Sequence, residues 1–364
     1  MKKIFIALLS ISVLIISCTK EKKETAITKE ITLFNQLLID YNEGKLQLDP
    51  LAATFAGDNR YNDVFPDFLS DAYQQKSKDF YTNYKVKLTN FKDVDLTESE
   101  QMSKAVLDWD CEMALAQGSF KNDVLFPINQ MWTINLTMGQ LASGSSAQPF
   151  VTFKDYTNWL SRLEQYNVWL SSADAKMKQG ITEGYVLPKS LIKKIIPQFE
   201  SLTEITKDGE GIVDVSKHLF YSPIKKMPES FTEKEKKELT NKYTAILNDK
   251  LIPSFKSLAL FLKSEYLSAG RESSGISEIP NGEAYYNHAI RNYTTTNMTA
   301  DEIHTLGLSE VARILSEMEK VKQEVGFKGS IKSFFNDVRN KKELMPYSTP
   351  KEILDHFNGI HEKM

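Results

Sequence analysis

Cysteine is almost missing: Cys18 and Cys111 are the only two in 364 residues. A disulfide-built scaffold is therefore excluded, and stability has to come from a buried core. Histidine is scarce too, with five, and no apolar run after Cys18 is long enough to cross a bilayer as a helix. Positive charge is not in excess: 45 Lys and Arg stand against 48 Asp and Glu, a formal net charge of -3. That balance argues against a nucleic-acid partner, which needs a basic surface to neutralise phosphates. With 41% hydrophobic and 26% charged residues, a disordered or collagen-like chain is excluded as well. The length allows two or three domain-sized units, or one large helical body.

What is present begins with an export signal. Lys2 and Lys3 precede an almost unbroken apolar stretch from Ile4 to Ile16, and Ile15-Ile16-Ser17-Cys18 reads as a lipobox. The stretch is too short for a comfortable span and turns polar at once. Cleavage before Cys18 leaves a 347-residue chain of formal charge -5, its cysteine thiol carrying the lipid. Residues 1–17 are thus read as signal peptide and 18–28 as a charged, apolar-poor tether. The expected place is the bacterial cell envelope, lipid-anchored, with the bilayer as partner through acylated Cys18. Cys111 then has no partner for an intrachain disulfide.

Residues 29–364 read as mainly α. Ser/Thr residues followed three positions later by an acid mark helix starts along the chain. Thr97 with Glu100 opens a run with Met102, Val106, Trp109, Met113 and Ala116 at helical spacing, stopped at Gly118. Thr152 with Asp155 opens another that carries Trp159, Leu163, Tyr166 and Leu170 towards Gly180. Thr232 with Glu235 starts a long stretch that Pro253 should kink or break. Thr299 with Glu302 starts a helix whose face includes Leu306, Val311, Ile314, Leu315, Met318 and Val321. Asp49-Pro50 is a cap followed by proline at the first helical position, ending near Gly57. Two stretches depart from the pattern. Gly139 to Gln148 reads as a loop. Glu283 to Thr296, with three tyrosines and three consecutive threonines after the turn Pro280-Asn281-Gly282, is the best candidate for a short strand or hairpin.

Self-sufficient chemistry is hard to find. No H-E-x-x-H occurs among His218, His288, His304, His356 and His361, so two imidazoles one helical turn apart are lacking. His361-Glu362 begins such a motif, but Met364 follows two residues later. His356 and His361 would lie roughly 140° apart around a helix. Gly144-Ser145-Ser146-Ala147-Gln148 fails G-x-S-x-G at its last position. Ser190 with Lys193 and Ser348 with Lys351 match S-x-x-K without the motifs that accompany it in serine–lysine hydrolases. Gly209-Glu210-Gly211 is best read as a turn. Glu233 to Glu238, interleaved with lysines, has the look of a solvated helix face.

Three segments together resemble the bacterial domain-of-unknown-function 885 family, often lipid-anchored. They are Pro50 to Asp63 (PLAATFAGDNRYND), Gly184 to Pro188 (GYVLP), and Gly282 to Thr296 followed by Thr299 to Val311 (TADEIHTLGLSEV), with Gly326 to Gly329 after it. The resemblance implies a gluzincin-like, mostly helical zinc peptidase fold whose presumed metal motif, of H-E-x-x-P-G-H-H type, is not in this chain. No cofactor is then expected here, while zinc is expected in full-length relatives. Thr349-Pro350 starts a capped helix with no stop signal before Met364, so the helical domain is expected to be truncated at its C-terminus. In helical zinc peptidases a strand beside the metal helix pairs with extended substrate. On that model Tyr285, Tyr286, His288, Arg291 and Tyr293 are candidate contacts for a peptide, and no residue is assigned as catalytic or metal-binding. The competing expectation is a complete, non-catalytic helical lipoprotein that binds peptides or an envelope partner.

Overall fold

Threonine-led capping boxes set the helix starts. Thr97, Thr152, Thr232, Thr299 and Thr349 each accept a hydrogen bond from the backbone three residues on, whose acid reaches back to the threonine N–H. A computed structural model describes residues 33–131, 133–203, 206–207 and 213–364. The export signal, Cys18, the tether and the Gly209-Glu210-Gly211 turn lie outside the described residues.

The chain is helical, as its caps and spacing predict. Helix α1 is described over 33–48, and α2 (Pro50–Phe55), α3 (Asp71–Leu88), α4 (Glu98–Gln117), α5 (Asn122–Leu125) and α6 (Ile134–Leu141) follow. Then come α7 (Phe153–Glu183), α8 (Lys189–Ser201), α9 (Ser222–Lys225), α10 (Glu233–Ile246), α11 (Ile252–Phe261) and α12 (Leu267–Ala269). The last are α13 (Gly282–Thr294), α14 (Ala300–Glu324), α15 (Ile331–Asn340) and α16 (Pro350–His361). The only sheet among the described residues is a two-residue antiparallel pairing of Thr206–Lys207 with Val213–Asp214. Two compact units divide at His288, within α13.

The first unit is organised on α7. Its 31 residues span about 46 Å at the usual helical rise. The stripe of Trp159, Leu163, Tyr166 and Leu170 is fully or almost fully buried, as its spacing requires. Helices α10 and α11 pack on it and α8 packs on α11, bringing Phe199, Tyr243 and Phe255 into one core. Burial of each such side chain contributes about 2–3 kcal/mol. Two polar tips are satisfied as they enter: Trp159 Nε1 donates to the Tyr243 hydroxyl at 2.6 Å, and Tyr156 donates to the Pro223 carbonyl at 3.0 Å. The Tyr166 hydroxyl and Trp169 Nε1, by contrast, are buried with no hydrogen-bond partner among the described residues. A satellite core joins α1, α3 and α4 through Phe34, Tyr84, Leu107 and Cys111.

Several expectations need correction. Glu283 to Thr296 is not a strand: the backbone is helical through Thr294, because Tyr285 and His288, one turn apart, both pack on Phe120. That side-to-side packing overrides the β preference of tyrosine and threonine. Helix α13 starts at Gly282, where an added Cβ would meet the Ile276 carbonyl oxygen at 2.1 Å. Pro253 does not break its helix. A π-helical turn over Leu247–Leu251 precedes it and widens the coil where the proline ring would strike the Asp249 carbonyl. Helix α7 does not stop at Gly180 but runs to Glu183, with Gly184 (φ +80°) as its left-handed cap. Gly180 instead allows close approach: a Cβ there would lie 2.6 Å from the Leu125 carbonyl oxygen. Gly139 lies inside α6, so the loop begins only after that helix. In α4, Met102 and Val106 are exposed at 67% and 62%, while Leu107 and Cys111 face the core.

The second unit, 289–364, comprises the end of α13 and α14 to α16. Gly326 (φ +71°) turns the chain after α14, and Phe327 meets Phe334 of α15 at 5.3 Å. The apolar face of α14 is as periodic as the sequence indicates, yet no residue of α14, α15 or α16 is buried.

Candidate functional site

The first family-like segment folds around a buried cation from α7. Arg162, on the buried stripe of α7 between Trp159 and Tyr166, is fully buried. Its Nε donates to the Val64 carbonyl at 3.1 Å. One terminal nitrogen donates to Thr54 Oγ1 at 3.0 Å and Gln148 Oε1 at 2.6 Å. The other reaches the carbonyls of Tyr61 at 2.7 Å and Pro50 at 3.4 Å. All five guanidinium N–H groups are thus placed on neutral oxygens. Burial lowers its pKa to about 10, so it remains a cation at ordinary pH.

The same web explains the segment. Thr54 Oγ1 lies 2.6 Å from Asn62 Oδ1, and Asn62 Nδ2 donates to Asn59 Oδ1 at 2.8 Å. Asp49 caps α2 by accepting from Ala52 N at 2.9 Å. Outside the web, Arg60 bridges Glu43 at 2.7 Å and Asp58 at 2.6 Å, and holds both carboxyls below their ordinary range.

Beside α2 lies an open cleft of about 630 Å³. It is lined by Leu51 and Phe55 of α2 and by Phe65 and Phe68 of the following loop. Tyr73 of α3 and Ile134 of α6 close it. The walls are tied down: Tyr73 donates to the Leu48 carbonyl at 2.9 Å, Gln74 Nε2 to the Phe68 carbonyl at 2.6 Å, and Phe65 N to Gln165 Oε1 at 2.9 Å.

The second family-like segment, Gly184 to Pro188, is held by another arginine. Arg271 Nε donates to the Val186 carbonyl at 3.1 Å, and its backbone exchanges hydrogen bonds with Leu187 and Lys189. The Tyr266 hydroxyl accepts from Leu187 N at 3.2 Å.

The five candidate peptide contacts all lie on α13. Tyr285 meets Phe120 edge-on at 5.4 Å, and His288 Nε2 lies 2.9 Å from Gln117 Oε1. Tyr286 and Tyr293, seven residues apart, are exposed, and Arg291 is half-buried. A helical backbone has no free ladder edge, so strand pairing with a substrate is not open to this segment.

A zinc site does not fit the described residues. No group of three or more His, Cys, Asp or Glu side chains comes together among them. His218 is buried with both ring nitrogens engaged, by the Leu202 carbonyl at 2.9 Å and by Phe220 N at 3.2 Å. Burial also holds its pKa below the ordinary value. His304 and His361 are exposed, and His356 packs on Tyr347. In the second S-x-x-K match, Ser348 N donates to Glu352 and Lys351 pairs with Asp355 at 2.6 Å, so that lysine is engaged by a carboxylate. Gln148, the residue that spoils G-x-S-x-G, is the partner of Arg162. Burial raises the Cys111 thiol to about 11, which keeps it unreactive.

Sequence reasoning missed Arg162 and Arg271. For Arg162 a signal exists: a charge on the apolar stripe of an otherwise amphipathic helix.

Among the described residues, no helix is long and apolar enough to cross a membrane. No curated protein matches the chain. Solved structures similar to the chain include two described as lipoproteins. One is a candidate lipoprotein from Colwellia psychrerythraea, with TM-score 0.73 and 17% identity, covering 92% of this chain and 58% of that one. The other is a candidate lipoprotein of unknown function from Shewanella oneidensis, with TM-score 0.56 and 16% identity, covering 80% of this chain and 48% of that one. At these identities the likeness is one of fold, and the chain spans only about half the length of these relatives. A family model for a bacterial protein of unknown function (DUF885) matches residues 50–364, and the chain belongs to that family.

Proposed function

We propose that this chain is the N-terminal portion of a cell-envelope lipoprotein of zinc peptidase-like type, anchored through acylated Cys18, with the metal held by residues outside it. One observation supports this most: the helices of the second unit present apolar faces with no buried residue, and the solved relatives are longer. Exposed apolar surface on that scale is what a fold awaiting further packing would leave. In this reading α13 offers Tyr286, Arg291 and Tyr293 to a peptide through side chains, with Tyr285 and His288 fixing the helix.

Zinc content by elemental analysis, with peptidase activity, tests it on the chain and on a form extended by any sequence encoded beyond Met364. Zinc at one per protein and hydrolysis only in the extended form is the expected outcome. Zinc and activity in neither would favour the second reading, a helical lipoprotein that binds without catalysis. That reading draws on the lack of a metal-ligand set among the described residues. Labelled fatty acid should be incorporated by the chain and not by Cys18→Ala. Alanine at Arg291 and Tyr293 in an active relative should weaken peptide affinity; unchanged affinity would remove α13 from the substrate site.

A further inference from the structure

We infer that the cleft beside α2 is a binding site for a small organic cation, an ammonium carried on an apolar body. The size is right: about 630 Å³ lies within the range of small-molecule sites, roughly 300–1,000 Å³. Its lining is aromatic, with the partly exposed Phe55, Phe68 and Tyr73 around it and the buried Phe65 behind them. Phe55 is half exposed although it lies in a helix tied to the core, so an apolar ring stands open to the cleft. The charge is of one sign. Asp49 and Asp123 line the cleft, and no Lys, Arg or His does. Asp49 spends one oxygen on capping α2, and Asp123 accepts from Gln117 Nε2 at 2.8 Å. Each therefore keeps capacity for a further donor. Rings and carboxylates without a competing cation are what an ammonium group is drawn to, and the same lining would repel a carboxylate.

The site is also formed in advance. Arg162 fixes α2 through Pro50 and Thr54, and the Tyr73, Gln74 and Phe65 hydrogen bonds fix the other walls. Little ordering is left for a ligand to impose. None of these residues belongs to α13 or to the second unit, so the inference stands whether or not a metal is held elsewhere.

The test uses three probes of one shape on the purified chain: 4-phenylbutylamine, 4-phenylbutanol and 4-phenylbutyrate, titrated by calorimetry. The amine should bind with a Kd of about 1 mM or below. The alcohol should bind about fivefold or more weakly, and the acid not measurably. Asp49→Asn, which keeps a capping side chain, and Asp123→Asn should each weaken the amine several-fold and leave the alcohol unchanged. Rising salt should weaken the amine alone. Equal affinity for amine and alcohol would overturn the proposal. So would full amine affinity in a folded double variant, or saturable binding only of basic peptides.

Discussion

Helices α7 and α14 are built alike and end differently. Each opens on a threonine capping box, and each carries an apolar stripe at helical spacing. Eleven residues of α7 are buried; none of α14 is. In α7 the stripe meets α10 and α11, and its one charge is absorbed by backbone, hydroxyl and amide oxygens. In α14 the stripe of Val311, Ile314, Leu315 and Val321 stands in contact with solvent. An amphipathic helix therefore records a capacity for burial, and whether that capacity is used depends on what the rest of the protein offers. Stability should accordingly reside in the first unit, while the second depends on its surroundings.

The sharpest contrast lies between two phenylalanines. Phe255→Ala should destabilise the first unit by about 3–5 kcal/mol, through lost burial and the cavity left behind. Phe357→Ala, at 63% exposure, should change chemical denaturation by less than about 0.5 kcal/mol. A large loss at Phe357 would mean that α16 is covered in solution. Next comes the pair of arginines. Arg162→Met strands several buried oxygens and should cost about 2–4 kcal/mol in a urea melt. Arg313→Met on α14 removes only an exposed i,i+3 pair with Glu310 and should leave the melt where it was. If Arg162→Met were equally silent, the web around the first family-like segment would be decorative.

Smaller effects refine the comparison. Thr97→Ala and Thr349→Ala each delete a cap worth about 1 kcal/mol. The first should lower the global stability of its unit, whereas the second should appear only as faster amide exchange along α16. Last comes acid. The His218 imidazole resists protonation when folded, because burial holds its pKa below the ordinary 6.5. The unfolded chain takes up that proton first, so the stabilisation is complete above pH 6.5 and fades as pH falls through the folded value. Melting temperature of the first unit should decline between pH 7 and 5, and His218→Asn should flatten that slope. An unchanged slope would mean that the ring is reached by water.

Local rules made much of the fold legible. Caps are written within four residues, so Thr97, Thr152, Thr232, Thr299 and Thr349 could be found without knowing what packs where. The stripe of α7 was equally plain. What failed was whatever depended on distant partners. The residues of α13 read as extended until Phe120, far away in sequence, draws Tyr285 and His288 onto one side. Met102 and Val106 share a helical spacing with Met113, yet α1 and α3 pack against the neighbouring face. Gly180 looks like a terminator until the Leu125 carbonyl is placed against it. The cleft was invisible for the same reason, since its walls come from α2, a loop, α3 and α6. Within the first family-like segment, the residues could be recognised but their common purpose could not, because Arg162 lies about a hundred positions downstream.

The partners of Arg162 have one more consequence. A guanidinium held by carboxylates loses its counterparts when acid protonates them, and salt competes for the pairing. Carbonyl, hydroxyl and amide oxygens do neither. The clasp that closes the chain from Pro50 to Val64 onto α7 should hold unchanged in brine and in weak acid, an insulation that a cluster of ion pairs would not give.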